Sequence, residues 1–265
     1  MMQHVVIGQY FPGSSFLHKM DARAKLLAVV LLVVIVFFAN NLVSYGVLAG
    51  TTAVLVWLSG VPIRYLAKGL FPVFILILFT FFIHFFFTNE GDELFELGAF
   101  TVHEGGVWQG VYISTRIGSL VVLTSLLTLT TTPIDLTDAL EQLLSPFKRF
   151  GLPAHEMALM MSITIRLIPT LLQETEKILK AQSARGADFV KGSLKDRSRS
   201  IIALIIPLFA RSFQRAEHMA TAMEARGYNG GEGRTKLRVL EWGWRDSWGC
   251  FLVIVFGVVL WMMRT

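Results

Sequence analysis

Leu70-Phe71-Pro72-Val73-Phe74-Ile75-Leu76-Ile77-Leu78-Phe79-Thr80-Phe81-Phe82-Ile83-His84-Phe85-Phe86-Phe87 runs for 18 residues without a charged side chain. A helix rises about 1.5 Å per residue, so this run, begun at Leu66, is long enough to cross a hydrocarbon layer about 30 Å thick. Arg64 and Lys68 mark the membrane face it leaves, and Pro72 and His84 interrupt it. A lone histidine near the far end of such a helix is expected to bond a neighbour or face headgroups rather than carry a transported ion.

The same pattern recurs on both sides. Leu26 to Ala39 and Leu42 to Leu58 are apolar and separated by Asn40-Asn41, which predicts a tight helical hairpin. The first run is short, so its helix is expected to start over Ala22 to Lys25, capped by Asp21, unless the bilayer thins there. Val107 to Thr131 is a fourth span. Trp108 and Tyr112 form its interfacial belt, and Arg116 lies about one turn deeper, from where its head is expected to snorkel. Asp246 to Met263 is a fifth, with Trp242, Trp244 and Trp248 before it and Trp261 near its far end. The fold class that follows is an all-α polytopic membrane protein with about five transmembrane helices. Composition agrees, since 54% hydrophobic residues, 21 Phe and only 16% charged residues are too apolar for an ordinary soluble domain. Met1 to Lys25 is polar and lacks a continuous apolar core, so no cleavable leader is expected. The one cysteine, Cys250, has no internal disulfide partner.

Charge orients the spans. Glu90 to Glu104 holds five acids and no Lys or Arg, whereas Thr132 to Arg245 holds 17 Lys plus Arg against 12 Asp plus Glu. Basic loops stay in the cytoplasm, which places the second stretch and the N-terminus inside, and the acidic loop and the C-terminus outside. The chain then divides into a membrane domain (1–131), a cytoplasmic-side domain of helices (132–238) and a final span (239–265).

From Thr132 the periodicity changes. Ile134 to Ser145 puts Leu136, Leu140, Leu143 and Leu144 on one face and Asp135, Asp138 and Glu141 on others, an amphipathic helix rather than a span. Pro146, Gly151 and Pro153 break it. Two long segments follow, Ala154 to Arg185 and Lys195 to Arg226. Met157 to Leu172 is apolar for 16 residues with Arg166 inside it, and Ile201 to Ala210 for only 10, so neither spans. Each starts apolar and ends charged, and each holds a proline, Pro169 or Pro207, where a kink is expected. The glycine-rich, basic stretch Gly227 to Arg238 is a loop.

Both segments end in the same tripeptide, Ala184-Arg185-Gly186 and Ala225-Arg226-Gly227. Glycine after the last periodic residue stops a helix through positive φ, and arginine in the last turn suits the negative end of the helix dipole. Duplication extends outward: Glu176 and Glu217 lie nine residues before their arginines, and Ala181 matches Ala222. A duplicated helix end with a duplicated cation is a docking tip, able to make a two-pronged bond to a partner's carboxylate.

Catalytic signatures do not form. His155-Glu156 opens the zinc-protease pattern, but position 159 is Leu, and no phosphate loop of the Gly-x-x-x-x-Gly-Lys-Ser/Thr type is present, Gly231 to Thr235 sharing only its composition. No catalytic or metal-binding residue is nominated. The spans hold almost no acid to carry an ion, and the only repeat lies outside them, which speaks against a self-sufficient carrier.

Tyr10-x-Pro12-Gly13-x-Ser15-x-Leu17-His18 with Asp21, Arg23 and Lys25 resembles the transmembrane coupling (T) component of energy-coupling factor (ECF) transporters, the CbiQ-like family. So do Leu140-Glu141-x-Leu143-Leu144-x-Pro146-x-Lys148-x-x-Gly151-Leu152-Pro153, Arg166-x-x-Pro169 and, above all, both Ala-Arg-Gly motifs. Ala22 departs from the proline usual there. The resemblance covers nearly the whole chain. It implies a non-catalytic subunit of an ATP-driven vitamin or micronutrient importer, in which two coupling helices dock in grooves of two cytoplasmic ABC-type ATPases. Arg185 would contact one ATPase and Arg226 the other, with Pro169 and Pro207 as hinges. The chain would bridge these ATPases to a substrate-capture membrane subunit, the S component. ATP and Mg would serve the ATPases, with no cofactor on this chain and no nucleic acid as partner. Met157, Met160, Met161 and Ile163 are candidates for the capture-subunit platform, since methionines suit exchanging partners, although ordinary packing accounts for them equally. The rival classes are a stand-alone secondary carrier and a conventional ABC permease subunit forming its own substrate path.

Overall fold

The computed structural model describes residues 10–88, 90–97, 100–150, 153–189, 193–230 and 240–264. In chain order the elements are α1 (Phe16–Lys19), α2 (Ala22–Ile35), α3 (Leu42–Ser59), α4 (Ile63–Phe87), β1 (Glu93–Leu97), β2 (Phe100–His103), α5 (Glu104–Thr130), α6 (Pro133–Leu144), α7 (Ala154–Ala184), α8 (Leu194–Ala225) and α9 (Trp244–Met262). They fall into two compact units, one of Ile7–Ala139 with Val239–Thr265 and another that takes in Leu140–Arg238.

In the first unit α3, Gly69–Phe87 of α4, α5 and α9 are, among the described residues, the four helices long and apolar enough to cross a membrane. The first expected span, over Leu26 to Ala39, falls short of that length. α2 has 14 residues and continues only through a 3-10 turn at Val36–Phe38. It does start at Ala22, with the Asp21 carboxylate accepting from the Arg23 amide, as the short apolar run requires. The acidic stretch, expected to be a loop, carries the antiparallel β1–β2 hairpin, a small insertion in an otherwise helical chain.

α2, α3 and α5 meet around Leu32, Val36, Tyr45, Leu48 and Leu123, with α9 adding Val253 and Phe256. A second cluster joins Val61 and Leu66 to Leu126 and Leu129 of α5. α4 runs along α5 at a spacing that needs a small residue at Gly106, where a Cβ would lie 2.8 Å from the His84 carbonyl oxygen. On its other side α4 exposes Phe71, Phe74, Ile75 and Phe79, the arrangement expected where the solvent is lipid.

Two polar devices hold this bundle. Arg116 of α5 donates to the Ala39 carbonyl at 3.2 Å and to the Tyr45 hydroxyl, with its guanidinium 5.6 Å from the Phe37 ring centre. Its head thus reaches the α2–α3 turn and supplies a donor where helical amides run out and carbonyls are left open. His84 sits 3.4 Å from the Thr88 hydroxyl, the local partner expected of it.

The second device gathers four chain segments. The last carbonyls of α5 accept from outside the helix, Leu129 from the Phe11 amide at 2.9 Å and Thr130 from the Lys25 ammonium at 2.9 Å. A cation there faces the negative end of the α5 dipole. Asp246, buried at the start of α9, accepts from the Asp21 amide at 2.9 Å and from the Gly243 amide at 2.8 Å. Arg23 closes the ring, paired with the Asp21 carboxylate at 2.7 Å and donating to the Leu240 carbonyl at 3.0 Å.

In the second unit, the end of α6 is followed by a 3-10 turn at Ser145–Phe150 and then by α7 and α8. α7 has 31 residues and α8 has 32, each helical through its proline. They pass antiparallel. Arg215 of α8 is ion-paired with Glu174 of α7, and further along the Gln182 amide donates to the Ala203 carbonyl at 3.2 Å. The predicted break at Gly151, and the basic loop from Gly231 onward, lie outside the described residues.

Candidate docking site

The two tripeptides end their helices with one geometry. Gly186 has φ +89° and Gly227 has φ +74°, while Arg185 and Arg226 occupy the C-cap positions. The Gly186 amide donates to the Ser183 carbonyl and the Ala187 amide to Gln182, each at 3.0 Å. In the second copy the Gly227 amide donates to Glu224 at 2.9 Å and the Tyr228 amide to Met223 at 3.0 Å. This paired five-to-two and six-to-one pattern satisfies carbonyls that the helix leaves open. Nothing stands within 4 Å of a Cβ built on either glycine, so the positive φ and not crowding demands the residue type.

Both arginines are exposed, and among the described residues neither guanidinium has an ion-pair or hydrogen-bond partner. Each overlooks a cleft. Beside the first tip is one of about 550 Å³ lined by Arg185, Asp188, Asp196, Arg199 and Ala203. Beside the second is one of about 940 Å³ between the first half of α7 and the last half of α8, where Leu159, Ile163, Met219 and Met223 lie below Arg166, Arg215 and Arg226.

The clefts are related by the sequence repeat. Residues 41 positions apart correspond, as Arg185 does to Arg226. By the same offset Glu174 corresponds to Arg215, and these two meet as the ion pair at the crossing. A pair of equivalent positions in contact marks a local pseudo-twofold axis between antiparallel helices.

The other nominated residues separate into two groups. Met157, Met160 and Met161 are exposed along the first half of α7, while Ile163 turns into the larger cleft. Ile202, Ile206, Phe209 and Phe213 of α8 also lie exposed and were missed by sequence reading. Their helical spacing is the available signal, masked by an apolar run of only 10 residues that is too short for a span. His155 is not part of a metal pattern but pairs with Glu141 of α6 at 3.0 Å.

Among the described residues, four membrane-length apolar helices in one unit, and in the other a pair of antiparallel helices each ending in an unpaired cation, define a multi-span membrane protein. A family model described as cobalt transport protein (CbiQ) matches residues 13–237. The energy-coupling factor transporter transmembrane protein EcfT of Bacillus subtilis is 51% identical over 264 residues, covering 100% of both chains. Its namesakes in Brevibacillus brevis and Exiguobacterium sibiricum are 51% and 49% identical, over at least 98% of this chain. The chain belongs to the CbiQ family and, within it, to the energy-coupling factor transporter transmembrane components.

Proposed function

We propose that this chain is the coupling subunit of an ATP-driven importer and that its two Ala-Arg-Gly tips dock separate cytoplasmic ATPases. The observation that supports this best is the pair of helix ends with the same capping pattern, each holding an exposed arginine that has no partner among the described residues. A guanidinium left bare at the end of a rigid helix is poised for bidentate pairing with a carboxylate in a groove. ATP hydrolysis, with its Mg, is the partners' chemistry. Closing and opening of the ATPase pair moves the two tips relative to one another, with bending placed at Pro169 and Pro207. The exposed faces around Met157, Met160 and Met161 of α7, extended by Ile202, Ile206 and Phe209 of α8, are the platform for a substrate-capture membrane subunit. In this arrangement the N-terminus and residues 140–238 are cytoplasmic and the C-terminus is outside the cell membrane.

The deciding experiment is co-purification from membranes with the partners identified by mass spectrometry. Arg185→Ala with Arg226→Ala is expected to insert normally but to lose the ATPases and substrate uptake, since removing one partner of a buried charge pair costs about 2–5 kcal/mol. Undiminished uptake and co-purification in the double variant count against it. Substrate transport by the chain alone in liposomes would instead identify a carrier.

A further inference from the structure

The repeat that equates the two tips also shows where they differ. In the first cleft Asp188 and Asp196 face Arg185 and Arg199, so its charges cancel. At the equivalent positions of the second copy stand Asn229 and His155, and His155 is taken up by Glu141. Among the described residues no carboxylate lines the second cleft, and Arg166, Arg215 and Arg226 converge there with His218. Arg166 corresponds to Pro207 and Arg215 to Glu174, so neither cation has a counterpart beside the first tip. Among the described residues Arg215 is ion-paired, through Glu174, whereas Arg166 and Arg226 have no such partner. One backbone frame thus carries two charge patterns, the first near neutral and the second strongly positive over an apolar floor of Leu159, Ile163, Met219 and Met223.

We infer that Arg166, contributed by α7, is a recognition residue of the second tip, reaching a partner from outside the tripeptide. The second cleft takes a partner surface that pairs acidic side chains with an apolar ridge, and the first takes a surface with little net charge. Charge complementarity of this kind fixes which partner goes where by penalising the wrong pairing. This rests on the ATPase-docking proposal and adds to it a residue, outside both tripeptides, that selects the partner of the second tip.

The test uses the full chain in nanodiscs and the two ATPases of the same transporter, purified separately. Arg166→Glu is expected to weaken one ATPase about tenfold and leave the other within about twofold, and raising salt from about 50 to about 300 mM should reproduce that asymmetry with the unaltered chain. The salt series keeps the question open to test even where Arg166→Glu fails to fold, and Arg166→Lys should bind as the unaltered chain does. Equal losses of both ATPases, or of neither, overturn the inference while leaving docking intact. So does retention of both ATPases by Arg166→Glu together with loss of bound anionic phospholipid in native mass spectrometry, which would make the cleft a headgroup site. Failure of the unaltered chain to hold either ATPase removes the docking proposal itself.

Discussion

Arg185 and Arg226 are presented alike because Gly186 and Gly227 come next. With φ at +89° and +74° and open space around each, alanine meets no neighbour but must adopt a left-handed conformation that costs about 1–2 kcal/mol. The chain relieves that strain by unwinding the cap, which turns the arginine away. Gly227→Ala is therefore expected to lower retention of the partner facing the second tip, whereas Gly227→Asn, which tolerates this conformation, should keep most of it. Equal behaviour of the two variants would show that backbone conformation is not what presents the arginine. The tripeptides were legible in sequence because a glycine stop and a terminal cation are local signals. The acceptors of Arg116 were not, since Ala39 lies 77 positions away and only packing brings it close.

At the scale of helices, the crossing of α7 and α8 rests on Glu174 and Arg215. Their side chains are 16% and 31% exposed, enough desolvation for the pair to exceed a surface bridge yet remain near about 1 kcal/mol. Arg215→Ala and Glu174→Ala should loosen the crossing to a similar degree, and Glu174→Arg with Arg215→Glu should restore it. Cys250 is the only cysteine, so Cys250→Ala with Gln182→Cys and Ala203→Cys gives a disulfide whose yield reports the crossing. Yield that falls in the single variants and recovers in the swap is the expected result; no recovery would mean that the charges do not hold the helices together. Helix extents were legible because apolar runs and their stops set them, so that α3 and α8 start or end within a residue of expectation. The β1–β2 hairpin was not, because its strands of five and four residues are too short for alternation to stand out from a loop. Sequence showed the duplicated helix ends but not that equivalent positions of the copies face each other, since antiparallel crossing is a property of the pair.

Over the whole molecule, the ring of Asp21, Arg23, Lys25 and Asp246 is where the N-terminal segment, the end of α5 and the start of α9 are fastened. Its long-range contacts, such as the 225 positions between Asp21 and Asp246, explain why sequence showed the residues but not the fastening. Burial by itself would raise the Asp21 pKa, but hydrogen bonds from the Arg23 side chain and amide, with the nearby positive charges, hold it below the ordinary 3.8. A carboxylate so depressed contributes stability that is fully present above its unfolded value and is lost as pH falls through the lower folded one. Tryptophan fluorescence can follow this, because the six tryptophans, at 57, 108, 242, 244, 248 and 261, all belong to the same unit as Asp21. Detergent-solubilised Asp21→Asn, which keeps a helix cap but loses the charge paired with Arg23, should melt lower than the unaltered chain at pH 7 by a margin worth about 1 kcal/mol. Between pH 5 and the region below 3.8 that margin should shrink toward zero as the unaltered chain loses the ionised form that the variant never had. A margin that stays constant across the acid range would mean that the Asp21 carboxylate does not carry its charge into the fastening, and that α2 and α9 are held by packing alone.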